Sequence, residues 1–214
     1  MRKPQSMRGL EELGRVRLSP NFYMRDFLYS EIANFYGVPN IPEDPDLAIV
    51  AGASLCAELL EPLQATFGRI AIRSAYRSAA VTKYGNDRRH GASIERNAGY
   101  HIWDLRDKNG RMGAAACVVV PWFADRYAEG ADWRSLAWWI HDYLPYAHLQ
   151  FYPKLCAFNI LWREQGCDGI ESFIAPKGFL TKPGMPNFVG DHAAFYEGFP
   201  ALRRRSGRHL GAPL

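Results

Sequence analysis

Apolar residues recur every three or four positions over 46–67, which is the spacing of one face of an α-helix. The apolar positions are Leu47, Val50, Leu55, Leu59, Leu63 and Phe67. Gly68 is expected to end this helix, and Pro62 to kink it because proline cannot donate a backbone hydrogen bond. Similar patterns predict a short helix at 22–29 and a longer helix over 132–144.

Shorter apolar stretches at 69–77, 146–151 and 157–162 predict β-strands. Helices mixed with strands of this kind indicate an α+β fold, with a mainly antiparallel sheet flanked by helices. Residues 1–18 are polar and basic and are expected to form an irregular lead-in to one domain over 19–165. Residues 166–214 are rich in Gly and Pro, and they predict an irregular segment that wraps the surface and ends in a basic tail.

The segment 101–120 predicts a β-hairpin, because strand-like residues flank Asn109-Gly110, a strong hairpin signal. If Gly110 takes the left-handed conformation of a three-residue loop, Asp107 faces Arg111, and counting outward pairs His101 with Cys117. Directly opposed residues have Cβ atoms about 4.5 to 5.5 Å apart on one face of a sheet, within reach of one metal ion. A register shift of one residue would turn the thiol to the other face.

Composition and charge narrow the class of protein. The 214 residues are 48% hydrophobic and can bury a sizeable core. Much of the net charge of +4 comes from the C-terminal Arg203, Arg204, Arg205 and Arg208, so a nucleic-acid partner is not expected. No apolar run approaches the ~20 residues of a membrane span, and the first residues lack the apolar region of a secretory signal. The four cysteines have no CxxC spacing and are expected to be reduced thiols.

Three residues offer the chemistry of a catalytic zinc site, which typically has three protein ligands and one open position. His101 and Cys117 would meet across the hairpin, and His148 would come from the next strand of the sheet. Asp104 is the rival ligand, but it lies three residues from His101 and faces the other way on a regular strand. Taken singly, a strand histidine or a cysteine before three valines is more often a core residue.

Three motifs resemble one known family in the expected order. Residues 72–81, Ile-Arg-Ser-Ala-Tyr-Arg-Ser-Ala-Ala-Val, resemble the S-G-Y-R-S-x-x-V element of the zinc D-alanyl-D-alanine carboxypeptidase and endolysin family, whose fold is shared with the hedgehog signalling domain. Residues 113–117 are similar to the second half of its S-x-H-x-x-G-x-A-x-D motif, and 146–150 to its final ligand strand. With a similar leader at 18–31, the resemblance spans about residues 18–162.

The resemblance implies that His101, Cys117 and His148 hold Zn²⁺, with Cys117 in place of the family's aspartate. The sequence departs from the family's pattern in two further ways. Eleven residues, Ile102 to Met112, replace a two-residue spacer, which the hairpin would fold out of the way. Pro145 stands where many members have a glutamate base.

The remaining site residues follow from the same resemblance. Arg77 matches the arginine that holds the substrate's carboxylate, and Arg73 on the same strand is the alternative. Asp142, or His141 beside it, would act as general base on zinc-bound water, although either residue could instead be solvated at a helix end. Independently of the resemblance, Asp191-His192 in the C-terminal segment could approach the metal, although a turn is the favoured interpretation.

The leading hypothesis is a zinc-dependent metallopeptidase, a hydrolase that acts on peptidoglycan stem peptides as a carboxypeptidase or endopeptidase. Lack of a secretory signal suits a phage endolysin or a prophage product delivered to the cell wall by other means. The alternative is a zinc-containing module of the same fold that binds peptidoglycan or a partner without hydrolysis. The Asp-to-Cys change and the missing glutamate favour this second hypothesis.

Overall fold

In the computed structural model, which describes residues 1–91 and 93–203, six β-strands form one sheet with helices packed against it. The strands are β1 (Ala71–Ser74), β2 (Gly113–Val119), β3 (His148–Phe151), β4 (Phe158–Arg163), β5 (Gly169–Ser172) and β6 (Gly178–Thr181). Their order is β1-β2-β4-β3-β5-β6, and every neighbouring pair is antiparallel except β3 with β5. The predicted α+β class with a mainly antiparallel sheet is therefore confirmed.

The helices include both long ones that the sequence predicts. They are α1 (Met7–Gly14), α2 (Glu31–Tyr36), α3 (Pro45–Leu55), α4 (Glu61–Phe67), α5 (Ala79–Asp87), α6 (Ile94–Asn97), α7 (Pro121–Ala128) and α8 (Trp133–Tyr143). A π-helical turn, Cys56–Leu60, joins α3 to α4 just before Pro62. Proline has no backbone N–H to donate, and the wider turn accommodates its absence. None of the described helices has the length and apolar character needed to cross a membrane.

Alternation along β2 separates the main core from the face that carries the candidate site. Ala114, Ala116 and Val118 are buried in the main core, where α3 packs against the strand. Ala115 and Cys117 point to the opposite face, because successive side chains of a strand alternate. Polar groups of β2 and of the neighbouring strands therefore lie on the face of the sheet opposite the main core.

Two predictions about the ends of the chain are wrong. Residues 1–18 are not irregular throughout, since α1 is capped by the Ser6 hydroxyl and buries Leu13. Residues 166–214 contain β5 and β6, which extend the sheet beyond β3. Arg203 is described, but the rest of the predicted basic tail lies outside the described residues.

The predicted hairpin is correct at its turn and wrong in its register. Asp107 N–H donates to the Arg111 carbonyl at 2.9 Å, and Gly110 N–H donates to the Asp107 carbonyl at 2.8 Å. Residues 101–106, however, form tight turns, and Cys117 pairs with Ser74 of β1 and Asn159 of β4. Because β1 occupies the edge of β2 beside Cys117, the preceding loop reaches only Ala115, whose N–H donates to the Tyr100 carbonyl at 2.8 Å.

Gly113 lets this loop approach the strand closely. An ideal Cβ at Gly113 would lie 2.1 Å from the Gly99 carbonyl oxygen, a backbone atom that cannot move aside without shifting the loop. We predict that Gly113→Ala lowers the free energy of unfolding by about 3 kcal/mol, as overpacking against backbone does. Urea denaturation measures the change.

The control is Gly110→Ala, at a glycine with φ +77° and open space around it. This substitution is expected to lower the free energy of unfolding by about 1 kcal/mol, because alanine is strained in the left-handed backbone conformation. Equal losses in the two variants would show that the contact between Gly99 and Gly113 does not constrain the loop.

Candidate functional site

The buried imidazole of His101 is fixed by the backbone at the end of β1. Its Nδ1 donates to the Ala75 carbonyl at 2.8 Å, and the ring is only 3% exposed. Burial and, to a smaller extent, the nearby charge of Arg77 together lower the pKa of His101 to about 3. The ring is therefore neutral at pH 7, with its lone pair on Nε2.

His101 and Cys117 line one cavity of about 300 Å³, although they are not paired across a hairpin. β1 and the residues after it supply Arg73, Ser74 and Arg77, while α2 supplies Glu31. Arg77 N–H donates to the His101 carbonyl at 2.8 Å, which ties the arginine to the same loop. The side chains that line the remaining wall are Tyr152, Lys154, Ala157 and Asn159.

The cavity has more positive than negative charge. Arg73, Arg77 and Lys154 face one carboxylate, Glu31, and none of these four forms an ion pair with a described residue. Nε of Arg77 is buried and has no hydrogen-bond partner among the described residues. Burial lowers the pKa of Arg77, while Glu31 acts in the opposite direction. Such a site favours an anionic ligand, because three cationic side chains face a single carboxylate.

The thiol of Cys117 is protonated at neutral pH. Burial raises the pKa of Cys117 to about 11, although Arg73 and Arg77 act to lower it. A metal ion binds cysteine as the thiolate, so metal binding here would displace a proton. Without a metal, Cys117 is a small, weakly polar part of the cavity wall.

His148 lies away from the cavity, and the prediction that its strand neighbours that of Cys117 is wrong. β4 is inserted between β2 and β3, and His148 pairs with Leu161 while Cys117 pairs with Asn159. Two strand spacings and a two-residue offset separate the Cα atoms of Cys117 and His148 by about 12 Å. His148 Nδ1 instead lies 3.5 Å from the Tyr100 hydroxyl, and Nε2 lies 4.0 Å from Glu171.

A different group of potential ligands forms at the C-terminal end of α8. Among the described residues, only His141, Asp142 and His192 have three ligand atoms within 4.8 Å of one another and could hold a metal ion. His101, Cys117 and His148 do not form such a group. The sequence favoured a turn at Asp191-His192 over an approach to a metal, because nothing local places residue 192 beside α8.

Each of these three side chains already has protein partners. His141 bonds the Tyr146 hydroxyl at 2.7 Å through Nδ1 and the Phe188 carbonyl at 2.8 Å through Nε2. The two oxygens of Asp142 lie 2.7 Å from His192 Nδ1 and 2.7 Å from the Tyr196 hydroxyl. Neither His141 nor Asp142, the predicted general bases, lines the cavity of His101 and Cys117.

The rival ligand Asp104 also has another role. Its carboxylate accepts hydrogen bonds from Glu43 N–H at 2.7 Å and from the Tyr76 hydroxyl at 3.1 Å. It therefore ties the connector before α3 to the residues after β1. Asp104 does not line the cavity.

Sequence reasoning missed Glu31, Tyr152, Lys154 and Asn159. Asn159 carries a visible signal, because it is a polar residue within the apolar stretch 157–162 and must find a polar environment. Its Nδ2 donates to the Tyr152 hydroxyl at 2.9 Å. Glu31 and Lys154 are exposed, and no local pattern places them at the cavity.

We predict that the neutral state of His101 makes stability depend on pH. The unfolded histidine takes up a proton near pH 6.5, whereas the native ring resists protonation down to about pH 3. The neutral ring therefore contributes its full stabilisation of the native state above pH 6.5. This contribution to the free energy of unfolding is lost as the pH falls from 6.5 towards 3. The free energy of unfolding is expected to fall by about 1.4 kcal/mol for each pH unit below 6.5.

Urea denaturation of wild type and His101→Asn between pH 6.5 and pH 4, with chelator present, measures this slope. Asn has a side-chain N–H that can replace the bond to Ala75, but it does not titrate. The wild type should lose stability more steeply than the variant. Parallel profiles would contradict the assignment.

We predict that Asp142→Ala lowers the free energy of unfolding by about 2 kcal/mol, because His192 and the Tyr196 hydroxyl lose their acceptor. The control is Asp125→Ala at an exposed position on α7, where a change within about 0.5 kcal/mol is expected. Thermal or urea denaturation of both variants checks this. A negligible effect of Asp142→Ala would show that the group does not hold the C-terminal segment.

Comparisons with protein-family models, with curated proteins and with solved structures found no match to this chain.

Proposed function

We propose that the cavity binds the terminal carboxylate of a peptide, and that the protein recognises peptidoglycan stem peptides that end in D-alanine. The observation that carries this proposal is the excess of positive charge in the cavity, where Arg77 lies with two further cations and one carboxylate, and none of them forms an ion pair with a described residue. A guanidinium can bind a carboxylate through two parallel hydrogen bonds. The peptide class comes from the resemblance at residues 72–81 and 113–117.

Binding without hydrolysis fits the geometry better than catalysis. The three predicted zinc ligands do not converge, and the two predicted bases are bonded to the C-terminal segment. Arg77, by contrast, lines the cavity together with Arg73 and Lys154, which supports a role in carboxylate binding. The proposal also includes, for this chain, the hedgehog-type fold of the family that its motifs resemble.

A zinc peptidase is the second candidate, and one observation favours it. The Nδ1 of His101 is held by a backbone carbonyl, which is how proteins orient a metal-binding imidazole with Nε2 free to coordinate. Cys117 lines the same cavity, and Glu31 supplies a carboxylate there. Since His148 does not complete the ligand set, the described residues do not fit a three-ligand zinc site, and no catalytic step follows.

We predict that isothermal titration calorimetry detects acetyl-L-Lys-D-Ala-D-Ala binding to the wild type, with at least tenfold weaker binding of the same peptide as its C-terminal amide. Arg77→Lys keeps the charge but loses the planar fork, so the carboxylate preference should fall about tenfold, which is about 1.4 kcal/mol. Arg69→Ala, at an exposed arginine outside this cavity, is the control and should bind like wild type.

Equal affinity for acid and amide would contradict the proposal. Release of D-alanine from the peptide by zinc-loaded protein separates the two candidates. Recognition alone predicts no release. Release that disappears in both His101→Ala and Cys117→Ala would favour the peptidase.

A further inference from the structure

The turn that joins β3 to β4 places Lys154 at the cavity that contains Arg77. Tyr152 N–H donates to the Ala157 carbonyl at 2.7 Å, and Ala157 N–H donates to the Lys154 carbonyl at 3.1 Å. These two hydrogen bonds close the turn. The main chain that carries Lys154 is therefore fixed, while its side chain is exposed.

The same turn keeps an unusual backbone conformation. Leu155 and Cys156 both lie in the left-handed region, with φ 59° and φ 48°. This conformation costs a residue other than glycine about 1 to 2 kcal/mol. Cys156 is only 1% exposed and packs in the main core, which holds the turn in place. Backbone strain of this kind is concentrated at functional sites.

The floor of the cavity separates Lys154 from the two arginines. Ser74 of β1 pairs with Cys117 of β2, and Cys117 pairs with Asn159 of β4. Two strand spacings therefore place the Cα atoms of Ser74 and Asn159 about 10 Å apart. A carboxylate held by Arg77 on the β1 side leaves room for a second anionic group on the side of the turn.

The charges of the cavity also favour a second anion. Its three cations face one carboxylate, Glu31, so a single carboxylate from a ligand leaves one positive charge in excess. A second ligand carboxylate balances the charges. Lys154 forms no ion pair with a described residue and is free to receive that group.

We propose that Lys154 binds a second carboxylate of the same peptide, carried by the side chain of the third residue from the carboxyl end. The protein thereby prefers stem peptides with a diamino dicarboxylic acid at this position over those with lysine, whose side chain adds only a positive charge. The inference rests on the proposed function, since Arg77 would hold the terminal carboxylate. Two residues of extended chain advance about 7 Å, and a long side chain covers the remaining distance across the floor.

The test compares acetyl-diaminopimelyl-D-Ala-D-Ala with the same peptide in which only the side-chain carboxylate is an amide. Calorimetry with the full chain should show about three- to fivefold tighter binding of the acid, the range of an exposed ion pair. Lys154→Gln should abolish this difference, whereas Lys154→Arg keeps the charge and should retain it. Lys177→Gln, at an exposed lysine outside the cavity, is the matched control and should also retain it.

Because Lys154 is exposed, Lys154→Gln should not unfold the protein, and circular dichroism checks this. Equal binding of the side-chain acid and amide, or a preference that Lys154→Gln keeps, overturns the inference. If the terminal carboxylate is still required in that case, the proposed function stands. Binding that ignores the terminal carboxylate overturns the proposed function and this inference together.

Discussion

The site depends on how residues 99–103 dock against the edge of β2. The Tyr100 carbonyl accepts from Ala115 N–H, and Trp103 Nε1 donates to the Ala115 carbonyl at 3.1 Å. Docked in this way, the loop brings His101 to the end of β1, where its ring binds the Ala75 carbonyl and its own carbonyl accepts from Arg77. A short stretch of backbone therefore fixes the His101 ring and the main chain that carries Arg77.

Elements with strong local periodicity could be predicted from the sequence, because the signal lies within each segment. The helix over 46–67 and α8 are examples, as are β3 and β4. Which strands pair with each other depends on segments that are distant in sequence, so the pairing was predicted only in part. The Asn109-Gly110 turn was predicted correctly, but β1 took the edge of β2 that the hairpin would have used.

The candidate site was predicted in part. His101, Cys117 and Arg77 do line one cavity, although the proposed pairing across a hairpin is wrong. His148 is displaced because β4 lies between β2 and β3, an order that no local pattern specifies. Asp142 is bonded to His192, fifty residues away in sequence, so its role could not be inferred from its spacing to His148.

The Nε–H signal of Arg77 reports whether its guanidinium receives the carboxylate of a peptide. In NMR spectra of protein with ¹⁵N-labelled arginine, the Nε–H signal lost in Arg77→Lys identifies the group. Addition of a D-Ala-D-Ala peptide should shift this signal and slow its exchange with water, because the guanidinium gains an ionic partner. Arg77 does not receive the carboxylate if the peptide binds and the signal stays unchanged, or if the C-terminal amide moves the signal equally.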